Sequence, residues 1–339
     1  MVPAFFSKAM ILFNCDYSEG AHADILRRMA ETNMEQTAGY GEDPYCDQAR
    51  KLIAGLCGRT DLDIHFLIGG TQTNFTVIAA ALRPHQCVLC ADTGHINVHE
   101  SGAVEACGHK VSAIPSPDGK LTARQIEEAW HAHWDDETRE HMPQPRMVYI
   151  SQPTELGTIY SRKELQEISG VCRRRGLYLY MDGARLGYGL CDEDNDLDLP
   201  AIASLCDAFY IGGTKVGALF GEALVLRHEA LKEDFRYIAK QKGGRLAKGR
   251  LLGIQFLELF RDGLYFRLGA HADRLAVMLR DFCRSRGLSL PFSSGTNQQF
   301  VTMPDSVLEE LGRKYGFAYL RREDETHSTV RFCMSWATR

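Results

Sequence analysis

A chain of 339 residues is more than one compact core of ordinary size holds, and one large domain plus a smaller one is the natural division. Hydrophobic residues make up 45%, enough for a well-filled interior, and the formal net charge of −5 is spread over interspersed charges. That pattern excludes the basic footprint of a nucleic-acid binder and a polybasic membrane patch, and no apolar run reaches membrane-spanning length.

In chain order, Met1 to Asn14 is mildly apolar with Lys8 as its only basic residue. It reads as an N-terminal arm, residues 1–20, and not as a signal peptide. Ala23 to Asn33 is an amphipathic helix, and Tyr45 to Cys57 a second, stopped by Gly58. Ile64 to Ile68 is a short apolar strand ended by Gly69-Gly70-Thr71, with a helix expected over Thr73 to Leu82. Strands and helices then alternate. Val88 to Ala91 is a strand, His95 to Cys107 a helix, Lys110 to Ile114 a strand, and Thr122 to Trp134 a helix. Met147 to Ser151 and Leu177 to Met181 are strands around a helix from Arg162 to Arg175. Phe209 to Ile211 and Ala223 to Leu226 follow as strands. Such alternation predicts an α/β fold, with a parallel or mixed sheet covered by helices on both faces. The large domain is taken as 21–250. Past Lys240 the texture changes to a basic, glycine-rich loop (Lys242, Arg245, Lys248, Arg250), then two long helices and two strands, a small α+β domain over 251–339.

Eleven scattered cysteines, an odd number, suit reduced thiols in the cytoplasm better than a disulfide framework. Cys87 and Cys90 lie in an apparent buried strand with no second pair nearby, which argues against a zinc or redox motif.

Ligands on such sheets bind at the carboxyl ends of strands. Gly70-Thr71, His95, Asp182 and Lys215 all fall just after one. Lys215 follows two glycines in Ile211-Gly212-Gly213-Thr214-Lys215. A lysine desolvated there becomes a nucleophile toward a carbonyl, able to hold an aldehyde cofactor such as pyridoxal phosphate. That cofactor needs a carboxylate on its ring nitrogen, donors for its phosphate, and a flat group on its ring face. Asp182, the Gly70-Thr71-Gln72 turn and His95 have those chemistries in that order. Singly, each has a plainer reading: a helix cap, an ordinary turn, a surface histidine. His95, His99 and Glu100 also invite a metal reading, but stacking already accounts for His95, and no metal is expected.

The order and local sequences resemble the low-specificity L-threonine aldolases, in the β-eliminating-lyase branch of fold-type I pyridoxal phosphate enzymes. Gly70-Thr71-Gln72-Thr73-Asn74, Gln152-Pro153-Thr154-Glu155-Leu156-Gly157-Thr158, Asp182-Gly183-Ala184-Arg185-Leu186 and Gly212-Gly213-Thr214-Lys215 carry the resemblance. It implies a mainly parallel seven-stranded sheet in the large domain, a homodimer or homotetramer, and cleavage of β-hydroxy-α-amino acids to glycine and an aldehyde. It implies that Lys215 is the Schiff-base lysine, Asp182 the partner of the pyridine nitrogen, and His95 the stacking histidine. Gly70, Thr71 and Gln72 become the phosphate turn. Arg185 and Arg331 lie near the substrate carboxylate, with Asp16 beside that site. His95 or His141 is the base, and Lys248 is the favoured member of a basic loop that reaches a cofactor phosphate, often across a subunit boundary. Cys15 stands where many members have a serine. The alternatives are a β-eliminating lyase, an aminotransferase on a small amino acid, or a cofactor-binding protein without turnover.

Overall fold

The computed structural model describes residues 10–339, and the part of the expected arm over residues 1–9 lies outside them. The strands are β1 (Ile11–Leu12), β2 (Asp63–Leu67), β3 (Gln86–Ala91), β4 (Lys110–Ile114), β5 (Gln144–Ser151), β6 (Tyr178–Asp182), β7 (Ala208–Gly212), β8 (Glu222–Leu226), β9 (Gln298–Pro304), β10 (Tyr315–Gly316), β11 (Ala318–Arg322) and β12 (His327–Cys333). Seven form one sheet in the order β2-β8-β7-β6-β5-β3-β4. Neighbours from β7 through to β4 pair parallel, whereas β8 runs antiparallel to both β7 and β2. The order reverses at β3, which has β4 on one side and β5 on the other. A crevice opens at such a switch point, beyond the carboxyl ends of the strands.

Period-two alternation explains why both faces are covered. Leu179 and Met181 of β6, and Phe209 and Ile211 of β7, enter one apolar cluster. Tyr178, Tyr180, Ala208 and Tyr210 enter the cluster on the other face. The covering helices carry clear start and stop signals. Ser161 and Glu164 form a reciprocal capping box on the helix Arg162–Arg175, which ends at Gly176 in the left-handed region. Asp43 caps the helix Pro44–Leu56, with the proline in its first turn.

Two expected elements differ. The helix expected over His95 to Cys107 is two short ones, His95–Val98 and Ala103–Ala106. Ser101 and Gly102 between them have φ of 53° and 72°, which no right-handed helix accepts. The helix expected from Thr73 starts at Gly70 instead.

A second, antiparallel sheet has the order β11-β12-β9, and β1 pairs with β10. The helix Arg250–Arg261 packs chiefly on the helices Pro44–Leu56 and Ala23–Glu31, and its Phe256 stacks on Phe66 of β2. Apolar packing is therefore continuous across the boundary expected at 250/251.

The turn after β6 lies directly on β7. A Cβ at Gly183 would stand 1.8 Å from the carbonyl oxygen of Tyr210. Gly183→Ala should therefore lower stability by about 1–3 kcal/mol or more, read as a lower urea midpoint at unchanged slope.

Candidate active site

Asp182 is the last residue of β6 and is buried. One of its oxygens accepts from the Ala184 amide at 2.9 Å and from the Tyr210 hydroxyl. The other accepts from the Tyr149 hydroxyl at 2.6 Å and from Asn74 Nδ2 at 2.9 Å. Burial alone would raise its pKa. The His95 ring and the two phenol hydroxyls outweigh that and hold it below the usual carboxylate range.

His95 opens the short helix after β3, and its backbone amide donates to Glu155 Oε1 at 3.0 Å. Its Nδ1 lies 2.8 Å from Glu100 Oε1, which also accepts from Asn74. Asn74 thereby links the two carboxylates, and Tyr180 donates to its oxygen. Burial would lower the His95 pKa, but the bond to Glu100 and the charge of Asp182 raise it.

Lys215 follows β7 and is half-buried, with its carbonyl accepting from the Tyr188 hydroxyl. Burial and then Arg185 push its pKa down, against Asp16, Asp182 and Glu222. Glu222, at the start of β8, accepts from Thr214 Oγ1 at 2.8 Å and from the Gly213 amide at 3.2 Å. Burial pushes its pKa up to about 8.

Arg185 makes a two-pronged bond to Asp16, at 2.7 and 3.0 Å. Asn297 donates to the same carboxylate at 2.9 Å. Arg331, on β12, donates to Gln298 and to the Asn14 carbonyl, and its buried Nε has no partner.

These groups converge on two joined cavities. One of about 330 Å³ is lined by Gly69, Gly70, Thr71, Asp182, Lys215 and Glu222, among others. One of about 620 Å³ carries Arg331, His99, Val98, Phe300 and Tyr319. Tyr17, His95, Glu155, Arg185 and Lys215 line both. The helix Gly70–Ala81 points its N-terminus into the smaller cavity, and no side chain caps it. Its first amides are thus free for an anion. Gly70 is needed for this approach, because a Cβ there would meet the Tyr210 hydroxyl at 3.0 Å.

Four expected site residues line neither cavity of this chain. Asp16 is buried against Arg185 and Asn297 and touches neither cavity, because both carboxylate oxygens are already engaged. Its contacts within this chain are with Arg185 and Asn297. His141 is exposed on a 3₁₀ turn just before the amino end of β5. The site lies at the other end of that eight-residue strand, roughly 25 Å away at about 3.3 Å per residue. Lys248 is exposed and lines a separate groove with Asn33, Ala247 and Arg250. The Gln72 side chain is spent on the Ile68 amide and the Lys242 carbonyl, so it ties the basic loop to the turn. Lys242 itself points to Cys107, and Arg245 and Arg250 bind the carbonyls of Tyr40, Thr32 and Glu35. Among the described residues, no cluster of three or more His, Cys, Asp or Glu could hold a metal ion.

Sequence reasoning missed Asn74, Glu100, Glu155, Tyr149, Tyr210, Tyr17 and Glu222 as site members. Tyr149 and Tyr210 look like ordinary strand residues, and Glu222 like a polar residue ahead of a strand.

The β-eliminating lyase family model matches residues 15–306. The chain belongs to the β-eliminating lyase family. The low-specificity L-threonine aldolase of Pseudomonas aeruginosa is 32% identical over 96% of this chain and 93% of its own length. The threonine aldolase structure from Leishmania major superposes with a TM-score of 0.95 at 46% identity, covering 97% of this chain and 95% of that one. A probable N-succinyldiaminopimelate aminotransferase from Thermus thermophilus, at 16% identity and a TM-score of 0.72, shares the fold alone. The architecture is that of the fold-type I enzymes, and the family depends on pyridoxal 5′-phosphate. The residues fit that cofactor: an uncapped helix terminus, an ionised acid and a desolvated lysine share one cavity.

The Asp16–Arg185 pair generates a pH prediction. Burial disfavours the charged form of Asp16, yet Arg185 and Lys215 lower its pKa from 3.8 to about 2. A depressed folded-state pKa stabilises above the unfolded value and is lost as pH falls through the folded one. In urea unfolding curves, the stability gap between the parent protein and Asp16→Asn should narrow by about 1 kcal/mol between about pH 6 and about pH 3.

Proposed function

We propose that this chain is a pyridoxal phosphate-dependent aldolase that cleaves L-threonine and L-allo-threonine to glycine and acetaldehyde. One observation carries the reading. Lys215, Asp182, His95 and the free helix terminus at Gly70 line one cavity, and this opens into a second that Arg185 and Arg331 share. The match to L-threonine aldolases over nearly the whole chain supports it.

Lys215 would hold the cofactor through its aldehyde, Asp182 through its ring nitrogen, Gly70 and Thr71 through its phosphate, and His95 across its ring face. When bound, the cofactor supplies an electron sink for the pair left on Cα as the Cα–Cβ bond breaks. The protein's share is orientation and proton handling. Arg331 receives the substrate carboxylate, and Arg185, which lines the same cavity, adds positive charge. Asp16 keeps the Arg185 fork from rotating. A carboxylate pinned at this point fixes which bond to Cα stands across the ring plane.

His95 takes the proton of the β-hydroxyl at Nε2. Its Nδ1 is committed to Glu100, which fixes the ring's orientation and stabilises the proton once taken. Glu100 is buried, so that stabilisation acts in a low-dielectric setting. The aldehyde leaves through the wider cavity, past Val98, Phe300 and Tyr319.

We further place the enzyme in the cytoplasm, since all eleven cysteines are free thiols. No helix among the described residues is long and apolar enough to cross a membrane. We take the working form to be a homodimer or homotetramer. Lys248 and His141, which do not reach this chain's cavities, are then available to a neighbouring subunit's.

Incubation with threonine, with the aldehyde trapped and glycine quantified, tests the activity. Pyruvate from serine, or glutamate from alanine plus 2-oxoglutarate, would redirect the assignment to elimination or transamination. Lys215→Ala should abolish both turnover and the near-visible absorption seen when enzyme and cofactor are mixed; a fully active variant refutes the role. His95→Phe keeps a flat ring but no proton acceptor. It should retain that absorption while kcat falls by about 10²–10⁴.

A further inference from the structure

Cys107 and Lys242 have no part in the site described above, yet their reactive atoms meet. Lys242 Nζ lies 3.3 Å from Cys107 Sγ, across 135 residues of chain. Among the described residues, this thiol is the only side chain to which the amine bonds. A sulfur is a weak acceptor, so the contact by itself does little to hold the amine. What the pair does have is a nitrogen nucleophile set directly against an oxidisable sulfur.

Two helix ends fix the contact. Cys107 caps the carboxyl end of the helix Ala103–Ala106, and Lys242 that of the helix Phe235–Gln241. Each is followed by a glycine in the left-handed region, Gly108 at φ 88° and Gly243 at φ 75°, which turns the chain out of the helix. Both helices pack against the helix Gly70–Ala81. The Lys242 carbonyl also accepts from Gln72 Nε2 at 3.1 Å, inside the first turn of that helix. Packed elements therefore place both backbones, and only the flexible lysine stem has to move to bring nitrogen to sulfur.

The other thiols are placed differently. Eight are buried, and burial pushes each away from the reactive thiolate. Cys15, Cys107 and Cys191 are partly exposed. Cys15 meets the Ser18 hydroxyl and Cys191 the Phe266 carbonyl. Cys107 alone among the described thiols faces an amine.

We propose that Cys107 and Lys242 form a redox-sensitive crosslink, a sulfenamide made when a peroxide oxidises the thiol. In the first step the S–H group becomes S–OH, and one hydrogen peroxide is reduced to water. The Lys242 nitrogen then attacks that sulfur. An S–N bond forms, the S–O bond breaks, and the hydroxyl leaves as water with a proton from the nitrogen. The chain loses two hydrogens overall. A small thiol reverses the change. Its sulfur attacks Cys107, the S–N bond breaks, and the amine regains a proton. A second thiol then frees Cys107 from the mixed disulfide. The bond ties together two helix ends that both rest on the helix Gly70–Ala81, whether or not the chain is an aldolase.

The crosslink is read by mass. The full chain with its cofactor is reduced, freed of reductant and treated with hydrogen peroxide. Remaining thiols are alkylated, and tryptic peptides are analysed by mass spectrometry. The parent should yield a joined pair of peptides carrying Cys107 and Lys242, lighter by two hydrogens than the two separate peptides and uncut at Lys242. Dithiothreitol before alkylation should abolish it. Cys107→Ser and Lys242→Arg, each with an unchanged circular dichroism spectrum, should give no joined pair. Alkylating the parent before peroxide should do the same, and does not depend on a variant folding. Recovery of Cys107 only as sulfinic or sulfonic acid overturns the proposal. So does a joined pair that retains a peroxide oxygen, that resists dithiothreitol, or that persists in Lys242→Arg. Threonine turnover plays no part in this readout.

Discussion

An ionised acid inside a protein survives only if donors replace the water it has lost. Asp182 has four: two phenol hydroxyls, an amide side chain and a backbone N–H. Each comes from a different element, β5, β7, the helix Gly70–Ala81 and the turn after β6. Satisfying this one carboxylate therefore fixes the relative heights of three parallel strand ends and one helix N-terminus. The same groups wall the cavity, so the anion's solvation shell and the binding site are one object. Close backbone approach completes it, with Gly183 pressed on Tyr210 and Gly70 admitting the Tyr210 hydroxyl. A methyl group at either point would push apart the strand ends that hold the acid.

Around that centre, charges alternate in sign over a short distance. The acids Asp182, Asp16 and Glu222 and the bases Lys215, Arg185 and Arg331 line or adjoin the two cavities, with Glu222 pushed by burial toward its neutral form. In so low a dielectric, removing one member shifts the others' proton affinities. Protonation in this site is thus a property of the group of charges. Asp16 shows how a residue without access to a ligand still contributes, since its fork on Arg185 sets where positive charge is presented.

Much of the site was legible because its members lie where strand periodicity stops. A polar or glycine residue right after an apolar run reports a strand end, and Lys215, Asp182, His95 and Gly70 are all of that kind. Residues inside the periodic pattern were silent. Tyr149 and Tyr210 occupy ordinary strand positions, and only the sheet's register brings their hydroxyls to Asp182. Glu222 was silent for a different reason, because it is the first residue of its strand, and a residue at an amino end joins the site only if that strand runs backwards. His141 and Lys248 are the opposite case, outside the periodic pattern and away from this chain's cavities. Both have suitable chemistry in loops, and nothing in a loop's composition says which end of the sheet it lies on.

The order of residues by itself determined the layered α/β architecture, since alternating strand and helix periods admit few other packings, and it marked the lysine, acid and turn that line one cavity. Tertiary structure alone decided which acids face those groups, the end of the helix at Val98 after which Glu100 meets His95, and the reversed strand that delivers Glu222. The physical reason is range. Hydrophobic period and turn chemistry act over a few neighbouring residues, whereas burial and charge depend on what arrives from a hundred residues away, as when Tyr180 meets Asn74.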